Sequence, residues 1–279
     1  MFSSYEFKQT LAERILRPLG ARRARRLEES FTLPPDKCAF VVLSVPRSGS
    51  NLFCHMLSTV PGIFCFHELF HRRNVYVGKE HLNDYDLGTA KERNADPLGF
   101  LARVFAANRE KSAIGFKLFP GHNETILHYC LYRRDVRKIL LVRKNALKVY
   151  SSHLIAQQTD HWSSDQTSKT AGSRRLVHVD TRKFARYSAF NDRYFGYLRE
   201  QLERTGQGYL ALEFEDMEPP SFKAIRTAAA GLGCPVAESM NLRMPIQRQN
   251  SPLLSERIEN FAELQKEFEA SPFEKFLTD

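Results

Sequence analysis

The chain has 279 residues, 42% of them hydrophobic and 26% charged, as in a soluble globular protein able to bury one large core or two modest ones. Lysine and arginine exceed aspartate and glutamate by 41 − 32 = 9, which suits anionic partners: nucleic acid, an anionic membrane or a polyanionic small ligand. No apolar run approaches the roughly 18 residues of a bilayer span.

The N-terminal stretch carries Glu6 and Glu13 and reads as neither a secretory signal nor a transit peptide. Phe7, Leu11 and Ile15 lie on one helical face that Pro18 ends, and an arginine-rich run follows at 21–26. That run reads as a solvated helix face, with contact to a membrane surface or nucleic acid as its alternative. Residues 1–36 are therefore expected to form a helical extension.

Residues 38–45 form an apolar, β-branched run, the pattern of a strand buried on both faces. A polar turn, Pro46-Arg47-Ser48-Gly49-Ser50-Asn51, leads into Leu52, Phe53, Met56, Leu57 and Val60 at helical spacing, and Pro61-Gly62 stops the helix. Such a joint aims backbone N–H groups and a helix N-terminus at one spot, which favours phosphate or sulfate, and Arg47 adds a full charge. It is not a Walker A loop, since it has one glycine and no following lysine. An ordinary strand–turn–helix joint is the plain alternative.

A short apolar segment at 63–66 precedes His67-Glu68-Leu69-Phe70, and residues 71–97 are polar and irregular, as in a lid or substrate loop. A helix is expected over 98–108, a strand over 113–119 carrying Lys117, and a helix over 124–133. A second buried strand covers 138–143, with a helix to about 158 and a polar loop at 159–173 containing Trp162. Phe184, Tyr187, Phe190, Tyr194, Leu198 and Leu202 give one long amphipathic helix; a strand at 209–214, a helix at 220–231 and a closing helix from Ile258 to Phe268 complete the chain. Strands separated by helices, without repeat or long linker, indicate a single α/β domain over 1–279 with a mostly parallel central sheet flanked by helices. The five cysteines are scattered, with no CxxC pair, and suggest small core residues in a reducing, cytoplasmic setting and no metal site.

A second anion signal, Arg143-Lys144-Asn145-Ala146-Leu147-Lys148-Val149-Tyr150-Ser151, leaves one strand and enters a helix. Two anion sites at the carboxyl ends of neighbouring parallel strands suit a ligand with two separated phosphates. With these two motifs in this order, the sequence resembles the 3′-phosphoadenosine-5′-phosphosulfate (PAPS) dependent sulfotransferases, most like their bacterial carbohydrate and glycolipid branch. The first motif is PKSGTTW-like or RSGST-like in that family, and the second is RNPxDxxVS-like.

The resemblance implies a P-loop-like sulfotransferase fold. It implies that Arg47, Ser48, Gly49, Ser50, Asn51 and Leu52 hold the 5′-phosphosulfate and that Arg143 and Ser151 hold the 3′-phosphate. Gln247-Arg248-Gln249 is the loose counterpart of a late basic segment that completes that site. Asn51 replaces the usual Thr and Leu52 the Trp that packs adenine, which leaves adenine packing to Trp162 at best. Lys117 matches the lysine of the cytosolic branch, but Leu118 and Phe119 follow where a histidine base would stand. The bacterial branch places a Glu after the first helix, the slot of Glu68.

On this reading Glu68 is the general base, its pKa raised by apolar neighbours. His67 is the alternative base; His122 reads as an acceptor contact or a surface loop histidine, and Phe70, Phe66 and Tyr76 as lining of the acceptor cleft beside Glu68 or as core. Arg47 donates to the leaving oxygen. The expected partner is a glycan, glycolipid or small-molecule hydroxyl, with no metal and no nucleic acid, peripheral membrane contact through the basic run, and a homodimer by analogy. The competing readings are a P-loop nucleotide phosphotransferase and a non-catalytic basic anion-binding module.

Overall fold

The structure, a computed structural model, describes residues 36–78, 87–107, 110–160, 162, 176–244 and 250–278. The expected N-terminal helix, the basic run, most of the 159–173 loop and Arg248 lie outside the described residues. The elements are β1 (Cys38–Leu43), α1 (Ser50–Ser58), β2 (Ile63–Phe66), α2 (Ala90–Ala95), α3 (Pro97–Ala107), β3 (Ala113–Leu118), α4 (Glu124–Tyr132), β4 (Val136–Val142), α5 (Ala146–Thr159), α6 (Thr181–Arg204), β5 (Leu210–Glu213), α7 (Lys223–Gly231) and α8 (Phe261–Phe268).

The strands form one parallel sheet in the order β2-β3-β1-β4-β5. β1 is central and sorts its side chains by alternation. Ala39, Val41 and Leu43 join one core with α3, α4 and α6, while Phe40 and Val42 join the other with α1 and α7. Helices cover both faces, so the strand sequences read as continuous apolar runs rather than alternating ones. A third apolar cluster ties α5 and the start of α6 to α8 through Leu147, Phe184, Leu264 and Phe268. Gly115 on β3 lies against the Phe40 ring, where any Cβ would meet ring carbons at about 2.4 Å.

Two elements depart from the sequence expectation. The apolar segment at 63–66 is the edge strand β2, paired with β3 from Ile63↔Ala113 to Phe66↔Phe116. The stretch read as irregular contains α2, opened by a capping box in which the Thr89 hydroxyl accepts from the Glu92 N–H and the Glu92 carboxylate accepts from the Thr89 N–H. Order reversal across β1, with chain leaving it to β2 and β3 on one side and to β4 and β5 on the other, opens a crevice above the carboxyl ends of the strands.

Candidate active site

The turn after β1 is built to face an anion. Arg47 and Gly49 both have positive φ, 67° and 86°, so successive N–H groups converge instead of following strand geometry. Gly49 is the N-cap of α1, and no side chain caps the helix. The Ser48 hydroxyl is turned inward to Ser44 at 2.7 Å, and Ser44 in turn donates to the Leu141 carbonyl at 2.6 Å. Ser48 and Ser50 are buried, so they serve the turn through their backbones, and Leu52 packs against the second core. An uncapped helix start beside a guanidinium suits an anion such as phosphate or sulfate.

Arg47 reaches over α5. Its Nε donates to Ser152 Oγ at 3.0 Å and its Nη1 to the Trp162 carbonyl at 2.6 Å. Burial, with the charge of Arg143 adding to it, lowers its pKa to about 10, which leaves it charged at neutral pH.

Asn51 points the other way, to Lys117. The Lys117 ammonium, buried on β3, donates to Asn51 Oδ1 and lies 3.0 Å from Glu68 Oε1. The other Glu68 oxygen is 3.6 Å from His122 Nε2. Asn51, Lys117, Glu68 and His122 thus form one polar chain from the anion turn to the end of β2, over elements far apart in sequence. Burial pushes the Glu68 carboxyl up, but the groups facing it, Lys117 first among them, together outweigh that and hold it below the usual carboxylate value. This reverses the expected raised pKa: the apolar neighbours in sequence are real, but a buried ammonium faces the carboxylate.

His122 is held neutral by burial, its pKa down to about 3. Its Nδ1 accepts from the Phe119 N–H at 3.4 Å. A neutral imidazole that accepts at Nδ1 carries its proton on Nε2, the atom facing Glu68. His67 contributes main chain: its N–H donates to Val77 and its carbonyl accepts from the Lys117 N–H, both at 3.3 Å.

Of the two readings of Phe70, acceptor cleft or core, the structure gives core: fully buried, its ring is 5.5 Å from Phe100 and 5.3 Å from Phe116. Phe66 is likewise buried, whereas Tyr76 is 44% exposed.

The second anion signal stands at the tip of β4, next to β1. Arg143 lies over the Phe214 ring, guanidinium carbon to centroid 4.5 Å. The same ring covers Gly49, where a Cβ would come within 2.1 Å of it. Phe214 follows β5 and so touches both anion turns, which the sequence reading did not notice. Here, unlike at α1, the helix start is already capped, because Asn145 Oδ1 accepts from the Lys148 N–H at 2.9 Å; the anion-seeking group is the Arg143 side chain. Ser151 is fully buried with its hydroxyl 3.4 Å from the Lys148 carbonyl, to which the buried Arg257 also donates at 3.4 Å. Ser152, its unremarked neighbour, is the serine that meets Arg47, and it also accepts from Asn250 at 3.0 Å.

No family model matches the sequence. Nodulation protein H of Rhizobium tropici is 25% identical over 252 residues, covering 87% of this chain and 94% of that protein. Nodulation protein H of Rhizobium meliloti strain 1021 is 22% identical over 264 residues, covering 88% and 96%. Among solved structures, a sulfotransferase from Alicyclobacillus acidocaldarius covers 88% of this chain and 96% of its own at 14% identity and a TM-score of 0.47. Both anion motifs stand in the order of the sulfotransferase pattern and two sequence relatives match over nearly their whole length, so the chain is similar to the sulfotransferases, most like those of the bacterial carbohydrate type.

Proposed function

We propose that the chain moves a sulfuryl group from PAPS to a hydroxyl of a carbohydrate, glycolipid or small-molecule acceptor, with Glu68 as general base. The observation that carries this reading is the continuous chain Asn51–Lys117–Glu68, which puts a carboxylate and a buried ammonium beside an uncapped, arginine-bearing anion turn. When bound, PAPS supplies the sulfuryl group and a bisphosphate leaving group.

The protein's own groups divide the remaining work. The N–H groups at Gly49, Ser50 and Asn51 and the Arg47 guanidinium bind the anionic end and offset the charge that grows on the leaving oxygen. The Arg143 side chain takes the second phosphate, with Ser151 as the further residue that the family resemblance assigns to it. Phe214 spans the two sites and offers a flat face for the base between them. Lys117 keeps Glu68 ionised, so the carboxylate is ready to accept the acceptor proton at neutral pH. His122 stands beside it, with Nε2 3.6 Å from the other carboxylate oxygen. The phosphotransferase alternative is weakened by the missing Walker lysine after Gly49.

Thermal and urea unfolding with added nucleotides test the donor reading. At ~100 times its dissociation constant, adenosine 3′,5′-bisphosphate should add about 2.7 kcal/mol of stability, and AMP far less because it cannot fill the Arg143 site. Arg143→Ala should cost about 1.5–3 kcal/mol of bisphosphate binding and leave the weak AMP effect unchanged. Equal stabilisation by the two nucleotides, or by ATP with magnesium, refutes the assignment.

A further inference from the structure

Residues 67–77 fold back on themselves. The His67 N–H donates to Val77 at 3.3 Å, the Tyr76 N–H to the Glu68 carbonyl at 3.3 Å, and the His71 N–H to the same carbonyl at 3.1 Å. Arg93 on α2 fixes this turn from behind. It is 1% exposed, and its Nη1 donates to the Leu69 carbonyl at 2.7 Å and to the Asn74 carbonyl at 2.8 Å, one on each limb of the turn. Its Nε and Nη2 both donate to Asn94 Oδ1. Burying a guanidinium among neutral acceptors is costly, and this one joins two limbs of a loop directly after the base.

The turn carries a row of rings. Tyr76 and His71 have centroids 5.1 Å apart, His71 and His122 5.7 Å, and His122 and Phe119 5.1 Å. At its inner end the row meets the reacting groups: the Lys117 ammonium is 5.0 Å from the Phe119 centroid, and His122 Nε2 is 3.6 Å from Glu68. At its outer end Tyr76 is 44% exposed, although its ring orientation is fixed by Asn74 Nδ2, which donates to the Tyr76 hydroxyl at 2.8 Å. Arg72, Arg73 and Asn74 form an exposed polar rim.

We propose that this turn is the acceptor platform, and that Tyr76 and His71 take the apolar C–H face of a sugar ring so that one of its hydroxyls lies over Glu68. The proposal rests on the sulfotransferase reading above, takes the carbohydrate among its acceptor classes, and assigns the residues that hold it. An aromatic ring held at the surface by a buried clamp offers contact area at little ordering cost. A pyranose has one face of C–H groups and an edge of hydroxyls, which matches a ring bordered by an amide and two guanidinium groups. A simple phenol would leave that rim unmatched.

The test uses labelled sulfuryl donor with methyl β-glucoside and cellobiose as acceptors against phenol and cyclohexanol. Wild type should prefer the two glycosides. Tyr76→Ala should raise their KM about tenfold, the equivalent of about 1.4 kcal/mol, with little change in kcat or in bisphosphate affinity. Tyr76→Phe, which keeps the ring, should retain most of the wild-type KM. Unchanged KM in Tyr76→Ala, preference for phenol or cyclohexanol, or transfer to none of the four by a chain that binds the bisphosphate overturns the platform. Failure to bind the bisphosphate overturns the underlying donor reading instead.

Discussion

Replacing Glu68 by glutamine separates its two roles, base and counter-ion. The carboxylate is 23% exposed, with Oε1 3.0 Å from the Lys117 ammonium and Oε2 3.6 Å from His122. Glutamine keeps the shape and one oxygen acceptor for Lys117. The charge-assisted contact becomes a neutral one, and a buried ammonium loses its counter-charge, so the fold should lose about 1–3 kcal/mol. Turnover should fall further, by roughly 10²–10⁴, because an amide cannot accept the acceptor proton; that is about 2.7–5.5 kcal/mol of barrier. Affinity for adenosine 3′,5′-bisphosphate should hardly move. The pH–rate profile gives an independent sign. Lys117 holds the Glu68 pKa below its usual value against the upward push of burial. The acid limb of the rate should therefore lie below that of an ordinary glutamate, and it should be absent in the variant. Initial rates at saturating donor and urea melts measure the two effects side by side. A variant destabilised as expected but turning over within about threefold of wild type would show that Glu68 only neutralises Lys117, and the base assignment would be wrong.

Buried neutral histidines set a separate pH limit on stability. Burial lowers His122 to about 3 and His153 to about 4, Arg47 adding to the latter. As pH falls below about 6.5 the unfolded chain binds protons that the folded one refuses, so the urea midpoint should decline from there downward, and less steeply in His122→Gln. A flat midpoint between about pH 7 and 5 contradicts this. Arg93→Met removes four hydrogen bonds and leaves the Leu69 and Asn74 carbonyls without their donor. It should cost about 2–4 kcal/mol in chemical denaturation and speed amide exchange at His71 and Tyr76. Wild-type stability and exchange in this variant would show that the arginine holds nothing.

The parallel sheet was legible because β1, β3 and β4 are apolar runs bounded by turn residues, a pattern that survives without tertiary information. β2 was not, because four residues carry no periodicity of their own; it is a strand only because β3 lies beside it. α2 hid in a polar stretch, since six residues with one buried side chain give no amphipathic stripe, although the Thr89–Glu92 spacing was an available signal. The two strand–turn–helix joints could be read from sequence, and Lys117 and Glu68 each drew attention through the family resemblance, but not the contact between them. The electrostatic consequence could not be. The neighbours of Glu68 in sequence are apolar, while the charge that governs it arrives on another strand. Phe70, two residues after Glu68, illustrates the same limit, because the turn sends one side chain to the crevice and the other to the core. Ser151 and Ser152 differ by about 100° of helix rotation, and only packing decides which of them meets Arg47.

The strand order has an evolutionary consequence. Everything on one flank of β1, from Glu68 through Arg93 to Lys117 and His122, is encoded by a continuous first stretch of chain, and Arg143, Ser151 and Phe214 on the other flank by a later one. On the reading proposed here, the first stretch faces what is modified and the second grips what is spent. The anion turn after β1 touches both: Asn51 meets Lys117 on one side and Arg47 meets Ser152 on the other. Insertions and substitutions between β2 and β3 can therefore change the acceptor while the later stretch stays as it is. A lineage of such enzymes would be expected to diversify by rewriting the segment between Phe66 and Ala113 and to drift slowly elsewhere.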